Sequence, residues 1–390
     1  MSSGYGLGRK NQETRFFLPK VGLISILQNS TSKFLSYKDI ELAVHKVPKR
    51  IGSGLIIAAL LVAAIVTGAV AILRLDATGE SGSGLSAEFA YNLSKLAAVD
   101  PSLILYAQAG APVDTGFRQS RAIALDASGR VYVAGDRAIG IFGKAGNPEK
   151  LIELSGEPHC VTISEDGKIY VGVGDHVEVL SPEGQPVATW DPLGDEAVLT
   201  SIASYKSDVF VADAGHRIVL HYDAAGTLVG HIGEKNPEKN IPGFVIPSPH
   251  FDLAVSRDGL LRVADPGRNR IETYTREGDL EFAWGERSVD IKGFCGCCNP
   301  VNFAILPDGG FVTAEKGLDR VKIYNSDGGF VGVVAGPAQL GKEGRIKVCN
   351  TPEECRGGGS DVAVGPDGRI YVLDVTDNVI RVFQKKAVSQ

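Results

Sequence analysis

Apolar and polar positions alternate with a period of two through most of this chain, in short bursts closed by glycine turns. Ala122-Ile-Ala-Leu-Asp-Ala-Ser-Gly-Arg-Val-Tyr-Val-Ala-Gly-Asp136 is one burst, and Val161-Thr-Ile-Ser-Glu-Asp-Gly-Lys-Ile-Tyr-Val171 is another. Each reads as two half-buried strands around an Asp-Gly or Ser-Gly turn. The same unit returns at Ser201 with Val209–Asp213, at Asp252–Asp265, at Asn302–Gly309 and at Asp361–Val372. Equivalent second-strand positions are Tyr132, Tyr170, Phe210, Arg262, Val312 and Tyr371. They recur at about 40 residues in the first units and at longer intervals afterwards, which is a propeller period. Six units predict an all-β, six-bladed β-propeller over residues 117–386.

The pattern changes before residue 76. From Gly54 to Leu73 the chain is apolar and carries no charge. About 20 such residues cross a bilayer as a helix. Lys46, Lys49 and Arg50 precede the run, and Asp76 and Glu80 follow it. The formal net charge is −6. Residues 1–50 carry nine Lys/Arg against three Asp/Glu, so the head is basic and the remainder acidic. The distribution argues against nucleic-acid binding and for a membrane between the two parts. The expected order is a basic cytoplasmic tail (1–50), a single transmembrane helix (51–75), a linker with a short helix (76–116) and an exported propeller. In a bacterium this is the inner membrane, with the propeller on its periplasmic side.

Four stretches carry a family resemblance: Val211-Ala-Asp-Ala-Gly-His-Arg-Ile-Val219, Val263-Ala-Asp-Pro-Gly-Arg-Asn-Arg-Ile271, Lys316-Gly-Leu-Asp-Arg-Val321 and Leu373-Asp-Val-Thr-Asp-Asn-Val-Ile-Arg-Val382. The pattern resembles the NHL repeat family, over about two-thirds of the chain. The resemblance implies a propeller and no single function, because such propellers include scaffolds, ligand binders and enzymes. Phe294-Cys-Gly-Cys-Cys-Asn-Pro300 also resembles membrane-anchored bacterial NHL proteins that share this cysteine motif, which fixes no activity.

The cysteines ask for a chemical reason, since a blade needs none to fold. The longer intervals place inserts at Ile241–His250, Ser288–Pro300 and Pro337–Gly359, all linking one blade to the next. Such links share one face of a propeller, and Cys160 opens an inner strand entered from that face. Cys349 and Cys355 flank a polar loop and read as a local disulfide. Cys160, Cys295, Cys297 and Cys298 then remain. They read either as thiolate ligands of an iron–sulfur cluster or a zinc, iron or copper ion, or as structural pairs including a vicinal Cys297–Cys298 bond. His159 and His250 lie on the same rim as accessory candidates.

Asp252, Asn302 and Asp361 open the inner strands of three blades, where sugar-lactone hydrolases and related six-bladed propellers hold calcium or another divalent ion. Oxygen donors of this kind suit a hard cation. Hydrogen bonding to the neighbouring blade is the competing reading. No Ser-His-Asp set, P-loop or zincin motif is visible. The expectation is a binding or scaffold module of a membrane complex, possessing either a redox-linked cysteine site or only disulfides. The alternative is a metal-dependent hydrolase or lyase working in the channel, with His250 as base.

The anchor predicts that the full-length chain stays with membranes through alkaline carbonate extraction, and that protease added outside the cytoplasm degrades the propeller. Release by carbonate, or a protected propeller, would overturn it.

Overall fold

The computed structural model describes residues 60–64, 67, 96–341 and 358–387. The chain divides into two units, residues 1–90 and 91–390. In the first, residues 60–64 and 67 are helical and exposed, and the Thr67 hydroxyl donates to the Ala63 carbonyl at 2.7 Å. Among the described residues no helix is long and apolar enough to cross a membrane. Most of the expected 51–75 helix lies outside them, as do the basic tail and the Cys349–Cys355 loop.

The second unit is a six-bladed β-propeller. Five blades are four-stranded antiparallel meanders, the sixth is a five-stranded antiparallel sheet, and blade order follows the chain. The inner strands are Ser120–Leu125, Pro158–Ile163, Leu199–Tyr205, Leu253–Val255, Asn302–Ile305 and Asp361–Val364. All six fall where the alternation predicts. Second strands such as Val131–Gly135, Ile169–Val173 and Phe311–Glu315 are buried at every position. Their near-continuous Val, Ile, Tyr and Phe content fits a strand covered on both faces by neighbouring blades. Fourth strands such as Pro186–Thr189 are exposed throughout, as the outer edge of a ring must be.

Ring closure departs from the expectation. Tyr106–Gln108, which the sequence reading assigns to the linker, pairs antiparallel with Val379–Lys385 and becomes the outer strand of blade six. Val113–Asp114 pairs further along the same strand. The first part of the propeller therefore completes its last blade, which removes two exposed sheet edges at once. A three-residue strand with two exposed positions shows no alternation, so the pattern could not reveal it.

Adjacent blades lock by a repeated contact. The apolar residue ending a fourth strand packs on the glycine in the third-to-fourth turn of the next blade. A Cβ at Gly184, Gly226 or Gly328 would lie 2.4 Å from Ile152, Trp190 or Trp284 respectively, and all three glycines have positive φ. Trp284 also packs on Phe311 and Tyr324 of blade five, with ring centroids 4.8 Å away in each case. Within each blade the first-to-second and third-to-fourth turns share one face, while the second-to-third corners and the blade-to-blade links share the other. Gly328→Ala is expected to destabilise the propeller by about 1–3 kcal/mol, because it combines overpacking with a disfavoured φ. Urea unfolding checks this, and an unchanged midpoint would exclude the packing role.

Candidate functional site

On the link face, an acid at the end of a second strand recurs at the corner of each later blade. It is Asp213, Asp265, Glu315 and Asp374 in blades three to six, against Gly135 and Val173 in blades one and two. In blades three to five the acid grips the incoming link through a backbone amide. Asp213 accepts from Val198 N at 3.0 Å, Asp265 from Val245 N at 3.1 Å and Glu315 from Cys295 N at 3.0 Å. The other carboxylate oxygen meets a base on the same corner: His216, Arg268 or Arg320. A carboxylate that pairs and also caps a loop amide satisfies its own burial while it fixes the loop.

Blade five carries the strongest version, and it holds the cysteine loop. Glu315 and Arg320 are each 1% exposed and pair at 2.6 Å. Lys322 is fully buried and lies 3.3 Å from the other Glu315 oxygen. Its ammonium donates to the carbonyls of Gly293 at 2.6 Å and Ile291 at 3.2 Å, and it sits 4.7 Å from the Phe294 ring centroid. Burial pulls the Lys322 ammonium down to about 8, and the Glu315 charge opposes that fall. Removing one partner from such a buried set typically costs about 3–5 kcal/mol, because the others remain charged and dry.

Two asparagines finish the loop. The buried Asn299 side chain donates to Cys295 O at 2.6 Å and Lys316 O at 3.0 Å, and it accepts from Lys316 N at 2.9 Å. Asn269, in the left-handed conformation, donates to Asn299 O at 2.9 Å and Gly296 O at 3.2 Å. The turn 295–299 is closed on itself and tied to two blades. At its tip Gly296 and Cys297 are exposed, and Cys298 is half-buried. The sulfurs of Cys297 and Cys298 lie 3.2 Å apart. Burial pushes the Cys298 thiol up, as does its contact with Cys297, while Ser248 and the Lys316 charge act the other way. The Lys316 ammonium donates to the Ser248 hydroxyl at 3.2 Å.

The expected four-thiolate set is not what the structure assembles. Cys160 is buried in the core between blades two and three, under Gly172 and against the Leu199 side chain. Burial pushes its thiol up to about 12, far from a thiolate donor. Cys295 is held through its backbone, and only Cys297 and Cys298 bring sulfurs together. Among the described residues no group of three or more His, Cys, Asp or Glu is placed to hold a metal ion. These residues do not fit an iron–sulfur cluster or a tetrahedral zinc, iron or copper site. His159 is part-buried beside Arg121, and burial lowers its basicity. His250 lies on the cysteine rim, with its amide on Ser248 O at 2.7 Å and its ring near Gly359.

The central channel is a cavity of about 370 Å³ lined by the inner strands, with Asp252, Asn302, Asp361 and Ser201 on its wall. Each predicted channel residue staples neighbouring blades. Asp252 accepts from the Ser201 hydroxyl at 2.6 Å on one side and from Phe303 N at 2.7 Å on the other. Asp361 accepts from Ile123 N at 2.8 Å, joining blade six to blade one, and Asn302 donates to Ser360 O at 3.0 Å. Burial raises both carboxyls, Asp252 to about 6 and Asp361 to about 8, and the Asp252 charge adds to the rise at Asp361. The geometry combines a structural staple with two acids that form no ion pair among the described residues.

Both carboxyls bind their protons more tightly in the folded chain than at the ordinary value of 3.8. Their contribution is therefore greatest in acid and is lost as pH rises from about 4 through about 8. Asp361→Asn should gain stability relative to the wild type across that interval, read as the difference in unfolding midpoint. A difference that is flat or of opposite slope would show that Asp361 is ionised without cost.

No protein-family model and no curated protein matches the chain. Among solved structures, a catalytically inactive virginiamycin B lyase from Staphylococcus aureus with quinupristin aligns at TM-score 0.50 and 14% identity, covering 72% of this chain and 100% of that one. A streptogramin B lyase aligns at TM-score 0.49 and 13% identity, over 72% and 98% of the two chains. A Bacteroides caccae protein of unknown function aligns at 0.45 and 15%, over 57% and 84%. At such identities the likeness concerns architecture alone, and the architecture is a six-bladed β-propeller.

Proposed function

We propose that the chain is an NHL-type propeller, anchored in a membrane by residues 51–75, that docks a partner on its extracytoplasmic link face as a module of a membrane complex. The observation that carries this reading is the cysteine loop. A buried acid–base set and two asparagines fix its backbone, yet Gly296 and Cys297 stand in solvent. A pre-ordered exposed tip loses little conformational freedom on binding, which favours affinity. Val289 and Val245, 47% and 42% exposed on this and the preceding link, add apolar surface to the same face.

A second reading rests on the channel. Two buried carboxyls with no ion pair among the described residues suit a hard cation such as calcium, which would hold both ionised. Calorimetric calcium binding that disappears in Asp361→Asn would support it.

The docking reading is tested with a photo-crosslinking amino acid in the full-length protein in its membrane. At Cys297 a discrete adduct is expected. At Ser128, in a turn on the opposite face, none is expected. Equal adducts from the two faces, or none from Cys297, would sink the reading.

A further inference from the structure

We infer that Cys297 and Cys298 form a vicinal dithiol that exchanges with a disulfide, with Cys297 as the attacking sulfur and Cys298 as the resolving one. The inference gives the docking face its chemistry, and it rests on that reading only for the surface at which a partner arrives.

Three observations carry it. The two sulfurs already lie 3.2 Å apart, so a modest approach reaches the bond length of about 2.05 Å. The sulfurs differ in access, since Cys297 is exposed and Cys298 is half-buried behind it. An incoming disulfide meets Cys297 first. The site also has a fixed cation. Lys316 is 9% exposed and is held at Ser248, whose hydroxyl also contacts Cys298. That ammonium opposes the burial that pushes the Cys298 thiol up, and the thiolate is the reactive species.

The pair is suited to exchange rather than to stapling. Adjacent residues hold their Cα atoms about 3.8 Å apart, short of the roughly 4.4–6.8 Å that a relaxed disulfide takes. A bond closed between neighbours is strained, and strained, accessible disulfides are the readily reduced ones. It would also crosslink nothing, because it joins residues already joined by the chain. Stiffness comes instead from Glu315, Lys322, Asn269 and Asn299, none of which needs the sulfurs bonded.

The exchange balances. The Cys297 thiol gives its proton to solvent, and the thiolate attacks one sulfur of the partner disulfide. That sulfur–sulfur bond breaks, the outer sulfur leaves as a thiolate and takes up a proton, and a mixed disulfide remains on Cys297. Cys298, deprotonated in turn, attacks the Cys297 sulfur and expels the second partner thiolate, which is protonated. The dithiol has lost two protons and two electrons, and the partner disulfide has become two thiols. The reverse reaction oxidises a partner dithiol.

The partner is defined by its chemistry, a disulfide, whether in a protein or in a small molecule. The test uses glutathione disulfide on the reduced full-length protein in detergent, so a rim that docks a partner without exchange stays distinguishable from one that exchanges. After quenching and alkylation, the tryptic peptide 293–316 reports only Cys295, Cys297 and Cys298. The expected result is loss of two alkylatable thiols with no glutathione retained. Cys298→Ser should instead trap a stable glutathione adduct on Cys297, and Cys295→Ser should leave the two-thiol loss of the 297–298 pair unchanged. Three thiols remaining, a crosslink from this peptide to Cys160, Cys349 or Cys355, or no adduct in Cys298→Ser would overturn the inference. Wild-type unfolding midpoints for both variants establish that the loop is intact.

Discussion

The link face depends on one interaction, the grip of a corner carboxylate on the loop that enters its blade. The acid ends a second strand, where the sheet has run out of ladder partners and the link entering the same blade arrives with an unpaired amide. A carboxylate there accepts from the link and is paired by a base three to five positions on. Asp213 with His216, Asp265 with Arg268 and Glu315 with Arg320 are versions of one device. In blade five the longer glutamate reaches Cys295, Arg320 and Lys322 together. That additional reach is what converts an ordinary corner into a mount for the cysteine turn.

The channel uses acids differently. Asp252 and Asp361 lie at the inner strands and join one blade to the next, with no ion pair among the described residues. Hydrogen bonds from amides and a hydroxyl stabilise the charged form, but burial outweighs them. The ring is therefore held at its centre by acids stapled to amides and a hydroxyl, and at its rim by acids that each also meet a base.

Much of this was readable in the amino-acid sequence. Alternation and Asp-Gly turns located the six inner strands, because a strand covered on one face and a tight turn leave strong local signals. The longer intervals located the inserts and hence the face that bears the cysteine loop. What failed was depth and radius. Spacing shows that Cys160 begins a strand, but not that Gly172 and Leu199 close over its sulfur. The closing strand Tyr106–Gln108 was invisible because its partner lies at the other end of the chain. The burial of Lys316, Arg320 and Lys322 left no mark in the sequence, since a pattern of strands does not show which charges are dry. One signal was present: Glu315 stands where three other blades have aspartate, directly before the lysine that faces the thiols.

The closing strand also fixes an order of events. Lys386 bonds the Ile104 carbonyl from 282 residues away, next to the strand pair that seals blade six. A ribosome makes residue 104 long before residue 386. The strand that seals the circle is thus among the first parts of the propeller to appear and among the last to find its place. Until then the nascent chain carries an open sheet edge at each end, and contacts between such distant segments form slowly. The circle trades a vulnerable assembly period for a finished object with no loose seam.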